Sequence, residues 1–199
     1  MNIIDSFPDK QIELMGPTSQ KFIENGIHTF HDACRWVTNL PYGYNSNKTD
    51  PYIIFMEGKG TCSTKHAAIG LLAQEIGLPI SKFLGLYRLT DEIITGIGEI
   101  LKPHGLEYIP QIHCFLGFKT TFVDLTEGNC TGKNKPLENF DLIVRVKPIL
   151  SESEEEDLYK TGLDFYRQDS ETLRTHTKED LIEILKECNR KHEIICSLL

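Results

Sequence analysis

The sequence lacks several features that would point to a membrane or nucleic-acid partner. It has no apolar run of membrane-spanning length, and its first residues show no basic segment followed by an apolar one, as a signal peptide would. It also has no lysine and arginine cluster, and its formal net charge is −8 at pH 7. These absences predict a cytoplasmic protein without membrane or nucleic-acid partners, and they leave the oligomeric state open.

Neither disorder nor a disulfide framework is indicated. The chain has 199 residues, of which 40% are hydrophobic and 25% are charged, as is ordinary for a globular domain with one core. The six cysteines are irregularly spaced, and cytoplasmic thiols stay reduced. We therefore treat the cysteines as free thiols.

One cysteine follows a tight glycine loop at the predicted start of a helix. Gly58 and Gly60 allow unusual backbone angles, Thr61 can cap the helix, and an apolar run after Cys62 continues to Gly77. The positive end of the helix dipole favours a thiolate and lowers a cysteine pKa. The sequence thus predicts a reactive Cys62; the alternative is a buried, inert cysteine.

A predicted β-hairpin over residues 112–125 places a histidine beside a carboxylate. With a two-residue turn at Phe118-Lys119, His113 lies directly opposite Asp124. Directly opposed residues have Cβ atoms about 4.5–5.5 Å apart, which is close enough for a hydrogen bond between the side chains. A different turn would change this register. The sheet is expected to have this hairpin at its centre.

These three residues have the chemistry of a thiol enzyme. An imidazole next to a thiol forms a thiolate–imidazolium pair, and a carboxylate fixes the orientation of the ring. Cys62 is therefore the predicted nucleophile, His113 the base and then the acid, and Asp124 the residue that orients His113. A purely structural His113–Asp124 hydrogen bond is the alternative.

The same segments resemble the transglutaminase-like superfamily of papain-type thiol enzymes. The resemblance rests on a Gly-x-Cys-Ser segment that opens a helix at Cys62, a histidine that begins a strand at His113, and an Asp-Leu-Thr segment that ends the next strand at Asp124. It covers residues 58–126. It implies an α+β fold, in which the cysteine-bearing helix packs on a small antiparallel sheet and further helices flank this core.

The resemblance also implies a reaction type. Transglutaminases, proteases, amidases and peptide glycanases belong to this superfamily, and arylamine acetyltransferases share the layout. The implied activity is acyl transfer from a peptide or small amide substrate, to water or to an amine, without a metal or an organic cofactor. The alternative is a catalytically degenerate member that only binds.

A long loop before the nucleophile supplies candidates for a second oxyanion donor or for the lining of the cleft. Residues 40–51 are dense in turn-forming residues, and loops of this length tend to be functional. The candidates in or near this loop are Trp36, Tyr44, Asn45 and Asn47. Turn formation by the asparagines and core packing by Trp36 are the alternatives.

The predicted domain organisation is a catalytic core over residues 1–150 and a C-terminal helical extension over 151–199. The core begins with a lead-in helix over about 19–39 that Gly26 weakens; an interruption at Gly26 is the alternative. Further strands are predicted over 80–89 and 141–148. Residues 52–56 fit a buried strand or a helical turn, residues 126–139 a loop, and residues from Thr177 a final helix.

Two other groups of residues have functional alternatives. His66 lies four residues after Cys62, so it can reach the thiol on one helix face, although a packed or surface histidine is the simpler interpretation. Cys188, His192 and Cys196 recur every four residues and could contribute metal ligands. The simpler interpretation of these three is a half-buried helix face.

Overall fold

The computed structural model describes residues 3–126 and 140–197, with side chains to residue 194. These residues form an α+β fold with eight α-helices and one four-stranded antiparallel sheet. The helices are α1 (Pro17–Glu24), α2 (Phe30–Asn39), α3 (Ile53–Glu57), α4 (Cys62–Glu75), α5 (Gly98–Leu101), α6 (Glu152–Asp169), α7 (Glu171–Arg174) and α8 (Lys178–Ser197). The strands are β1 (Ser81–Leu89), β2 (Ile109–Phe118), β3 (Thr121–Val123) and β4 (Leu142–Val146).

Most of the predicted elements are present. The strand predicted over 80–89 is β1, the strand over 141–148 is β4, and residues 52–56 fall in helix α3. The final helix begins one residue after Thr177. Most of the predicted 126–139 loop, with Cys130, lies outside the described residues, and no helix in the described ranges could span a membrane.

The lead-in helix is two helices. Gly26, with a φ of +75°, interrupts the segment predicted over 19–39. Helix α2 then starts afresh, with the side chain of Thr29 accepting a hydrogen bond from the Asp32 amide. This bond satisfies one of the amides that a helix start leaves without an intrahelical acceptor.

The predicted hairpin register is wrong by two residues. Gly117 pairs with Phe122 instead of Thr120, so the turn consists of Lys119 and Thr120. Lys119 takes the left-handed conformation that this turn needs, with a φ of 54°. The strand order β3-β2-β1-β4 also puts the hairpin at an edge of the sheet and not at its centre.

Packing of aromatic rings explains the observed register. The Phe122 ring lies over Gly117, where a Cβ atom would approach it to 3.2 Å, and it reaches Phe83 and Phe115 with ring centroids 5.4 and 5.0 Å away. A side chain at position 117 would block this arrangement. Because β3 ends at Val123, the predicted strand pairing of His113 with Asp124 does not form part of the ladder.

The described residues group into two compact units. The first comprises residues 3–84, 114–126 and 144–150, and its core joins helices α1 to α4 with the end of the hairpin. Helix α4 packs against β1 and β2. The second comprises residues 85–113, 140–143 and 151–197. The predicted domain boundary at residue 150 remains a prediction.

The second unit is built around helices α6 and α8. Buried apolar side chains from both helices form its core, among them Leu163, Tyr166 and Leu181. The Tyr159 hydroxyl donates a 2.8 Å hydrogen bond to the Pro110 carbonyl, which ties α6 to the start of β2. Burial raises the pKa of this hydroxyl well above its ordinary value, so it remains a donor.

Candidate functional site

Two glycines position the start of helix α4 in different ways. Gly58 ends α3 with a left-handed φ of +63°. Gly60 instead has no room for a side chain, because a Cβ atom there would lie 2.8 Å from Thr64 Oγ1 and 3.0 Å from Ile54 Cγ2. Thr61 then precedes the helix, and its amide donates to Thr64 Oγ1 at 3.0 Å. The predicted glycine loop and helix start are confirmed.

Cys62 is the first residue of α4 and is partly exposed, unlike the other cysteines whose side chains are described. Cys34, Cys114 and Cys188 are buried. Burial raises the pKa of the Cys34 thiol well above its ordinary value and that of Cys188 to about 11. Cys62 is therefore the accessible thiol of this set, at the start of a 14-residue helix, where the helix dipole favours an anion.

Asp124 is held in a fixed orientation directly after β3. Its Oδ1 atom accepts a 2.8 Å hydrogen bond from the Thr126 amide and a second bond from the Thr126 hydroxyl. All three atoms are buried in a turn that the Asp-Leu-Thr sequence can form by itself. The threonine of this motif therefore orients the carboxylate, a role that the sequence analysis had not assigned.

His66 connects the start of α4 with the Asp124 segment. Its Nδ1 atom lies 2.8 Å from the Cys62 carbonyl oxygen, and its Nε2 atom accepts a 2.8 Å hydrogen bond from the Leu125 amide. The Nε2 atom is also 3.6 Å from Asp124 Oδ1. The i, i+4 spacing thus brings the ring to the backbone of Cys62, whereas the sequence analysis had considered its thiol.

A buried lysine adds positive charge next to this segment. Lys65 is fully buried, and its Nζ atom donates to the Leu40 carbonyl at 2.6 Å and to the Thr38 carbonyl at 3.4 Å. Burial lowers the Lys65 pKa to about 8, although the negative charges of Asp124 and Cys62 act in the opposite direction. The lysine joins α4 to the carbonyl end of α2, where the helix dipole favours a cation.

A second buried lysine holds the first turn of α4 from the sheet. Lys82, on β1, donates to the Ser63 carbonyl at 3.1 Å and to the Pro148 carbonyl at 2.9 Å. Neither lysine was predicted from the sequence, because lysine is almost never fully buried unless it is paired. The available signal was the continuous apolar run over residues 67–73 of α4, which covers every side of the helix and indicates that Lys65, one turn earlier, also lies in a buried helix.

Asn45 is tied into the backbone around the glycine loop. Its amide nitrogen donates to Glu57 Oε2 at 2.9 Å and to the Lys59 carbonyl at 3.0 Å, and its oxygen accepts from the Thr64 hydroxyl at 2.8 Å. Both amide hydrogens are thus in use. As an oxyanion donor, Asn45 would first have to release one of these bonds.

The other three cleft candidates have different surroundings. Trp36 packs against the core and stacks on Phe55, with ring centroids 5.0 Å apart. Asn47 is exposed and accepts two hydrogen bonds from Thr49 within a turn. Tyr44 is 39% exposed. A cleft role for these residues remains a prediction.

His113 is buried within strand β2. Its ring centroid lies 6.2 Å from that of Phe140, in an edge-on arrangement. The strand position agrees with the prediction. Its role as a base remains a prediction.

The possible metal ligands do not form a described site. Cys188 and His192 are buried on α8, and the side chain of Cys196 lies outside the described residues. Within the described part of the chain, no three histidine, cysteine or acidic side chains are grouped as metal ligands.

Comparison with family models, with curated proteins and with solved structures gave no match to the chain.

Proposed function

We propose that the protein catalyses thiol-dependent acyl transfer on a peptide or small amide, with Cys62 as nucleophile, His113 as base and acid, and Asp124 as the residue that orients His113. The observation that carries this proposal is the position of Cys62. It is a partly exposed thiol at the first position of a long helix, whereas the other described cysteines are buried. The resemblance of residues 58–126 to transglutaminase-like enzymes assigns the same three roles.

The surroundings of Cys62 support an anionic nucleophile. The amide groups at a helix start have no intrahelical acceptors, and they favour negative charge. The Lys65 ammonium adds a buried positive charge, and negative charge on Cys62 raises the pKa of Lys65. The same amides, beginning with that of Cys62, can stabilise an oxyanion.

The proposed reaction proceeds through a thioester. The Cys62 sulfur attacks the amide carbonyl carbon after His113 takes its proton, so an S–C bond forms and an electron pair moves onto the oxygen. The tetrahedral intermediate collapses, the C–N bond breaks, and His113 protonates the leaving nitrogen. Water or an amine then attacks the thioester, gives its proton to His113 and releases the Cys62 thiol when the C–S bond breaks.

Alkylation of the native protein with iodoacetamide tests the proposal, with the Cys62 peptide quantified by mass spectrometry. Because the thiolate is the reactive form, we expect Cys62 to react faster at pH 6 in the native protein than in denaturant. The His113→Ala variant should lose this difference. His192→Ala, which also removes a buried histidine, is the matched control and should retain it.

Two outcomes would overturn the proposal. One is a native Cys62 that reacts no faster than the same residue in denaturant, or no faster than Cys34. The other is an equal effect of the His113 and His192 substitutions. A protein with an unreactive Cys62 would fit the alternative of a degenerate binding module, in which Cys62→Ala leaves partner binding unchanged.

A further inference from the structure

The hydrogen bonds of His66 determine where its proton lies. Nδ1 faces the Cys62 carbonyl oxygen at 2.8 Å, and this oxygen can only accept a hydrogen bond. Nε2 faces the Leu125 amide at 2.8 Å, and this amide can only donate. The two contacts together require a proton on Nδ1 and an unprotonated Nε2. His66 is therefore a neutral imidazole.

With this tautomer, the contact between His66 and Asp124 is not an ion pair. The Nε2 atom is 3.6 Å from Asp124 Oδ1, a distance that would suit an ion pair with a protonated ring. Because Nε2 accepts from Leu125, it carries no proton for the carboxylate. Asp124 Oδ1 instead accepts from the amide and hydroxyl of Thr126.

We infer that His66 is a positioning residue, a neutral buried imidazole that joins the backbone of Cys62 to the Leu125 amide and so fixes the nucleophile relative to the carboxylate of Asp124. The ring is fully buried, which shields it from bulk water. It spans two segments that are far apart in the sequence, the first turn of α4 and the residues after β3. We call this pair of hydrogen bonds, from His66 to the Cys62 carbonyl and to the Leu125 amide, the His66 joint. The effect of the joint on catalysis rests on the proposed function, but the existence of the joint does not.

The same bonds argue against His66 as a second base. A base needs an unprotonated nitrogen that faces the thiol, but the Nε2 lone pair faces the Leu125 amide, and Nδ1 holds its proton towards a carbonyl. His66 thus acts through the two backbone groups to which it bonds, the Cys62 carbonyl and the Leu125 amide. Removing the ring leaves the buried Leu125 amide and the Cys62 carbonyl without these partners.

Nitrogen-15 NMR of the histidine side chains in the wild-type protein tests the tautomer directly at neutral pH. His66, assigned by its disappearance in His66→Gln, should show a protonated Nδ1 and an unprotonated Nε2. A proton on Nε2, or on both nitrogens, would overturn the inference. This measurement requires no activity, so it stands even if the proposed acyl transfer fails.

Two conservative variants test the positioning role, because each can retain one of the two bonds. In His66→Asn the side-chain amide can replace Nδ1 and donate to the Cys62 carbonyl. In His66→Gln the side-chain oxygen can replace Nε2 and accept from Leu125. Neither variant spans both segments, so we expect the native alkylation rate of Cys62 at pH 6 to fall by about tenfold or more in each.

The outcomes separate the two proposals. Fast alkylation in the wild type with slow alkylation in both folded variants supports the joint as a positioning device. If both variants retain the wild-type rate, the positioning role is overturned while the acyl-transfer proposal stands. If the wild type itself reacts slowly, the acyl-transfer proposal fails, and the NMR result alone decides whether the joint exists. Thermal melts establish that each variant is folded before its rate is compared.

Discussion

The Thr64 hydroxyl donates a 2.8 Å hydrogen bond to the side-chain oxygen of Asn45 and so links the first turn of helix α4 to a loop 19 residues earlier in the chain. The contact continues through the backbone, since the Gly60 amide donates to the Pro41 carbonyl at 3.1 Å and the Gly43 amide to the Gly60 carbonyl at 3.3 Å. The long loop therefore lies against the glycine loop that leads to Cys62. We expect its position to depend on Asn45, the side chain that bonds to Glu57, Lys59 and Thr64.

Asn45→Ala should destabilise the protein. The substitution removes three side-chain hydrogen bonds and takes the acceptor from Thr64, so the free energy of unfolding should fall by about 1–3 kcal/mol. Asn47→Ala is the matched control from the same loop. Asn47 is exposed and bonds only within its own turn in the contacts described, so this change should stay within about 0.5 kcal/mol. Urea unfolding of both variants measures the difference; equal losses would contradict the role of Asn45 as the anchor.

The two glycines before Cys62, Gly58 and Gly60, should differ in the substitutions that they tolerate. Gly60→Ala places a Cβ atom 2.8 Å from Thr64 Oγ1, so the helix start must shift, at a cost of about 1–3 kcal/mol. Gly58 has a left-handed backbone and nothing within 4 Å of a Cβ atom. Asparagine adopts this conformation more readily than most residues, so Gly58→Asn should cost less than about 1 kcal/mol.

The measurement is thermal unfolding together with the alkylation rate of Cys62. Gly60→Ala should lower both, whereas Gly58→Asn should leave the alkylation rate near that of the wild type. A Gly60→Ala variant with unchanged stability would show that the helix start adapts without strain.

The starts of helices α4 and α6 were predictable because they depend on local sequence. Ser151 accepts from the Glu154 amide at 3.2 Å, and the Glu154 carboxylate accepts from the Ser151 amide at 2.8 Å, as expected for a serine followed three residues later by a glutamate. The predicted start at Cys62 is likewise correct. Such capping interactions involve residues only a few positions apart, so they form independently of the tertiary contacts.

The hairpin register and the contacts of the buried Lys65 and His66 side chains were not predictable in the same way. Phe118-Lys119 carries no turn signature, and the observed register depends on Phe122 packing over Gly117 against rings from other parts of the chain. Lys65 is satisfied by carbonyls more than 20 residues earlier. The sequence could place His66 near Cys62 by helix spacing, but its bond to Leu125 required the fold.

Lys65 should make the stability of the protein depend on pH. Its pKa is about 8 in the folded protein, against an ordinary value of 10.5, so between these values the unfolded state binds more protons than the folded state. The free energy of unfolding therefore rises with pH across this window. Below about pH 8 both states are protonated, and the full cost of burying the ammonium is present.

Lys65→Met removes this titration while keeping an unbranched side chain. The stability of the wild type relative to this variant should increase by up to about 3 kcal/mol between roughly pH 7 and pH 11. Urea unfolding of both proteins at a series of pH values measures the difference, in which titrations common to both cancel. A difference that stays flat, or that falls as the pH rises, would contradict a lowered Lys65 pKa.

The second unit offers a test of close packing between helix α6 and strand β1. A Cβ atom at Gly162 would lie 1.9 Å from Leu86 Cδ2, and Leu86 is buried, so Gly162→Ala should cost about 1–3 kcal/mol. Leu86→Ala should itself cost about 2–5 kcal/mol through the cavity that it leaves.

The double variant should lose less stability than the sum of the two single losses, because the methyl group added at Gly162 enters the cavity left by Leu86. Thermal unfolding of the four proteins in a double-mutant cycle should give a coupling of about 0.5–3 kcal/mol. Additive losses would mean that α6 moves away from β1 instead of holding Gly162 against Leu86.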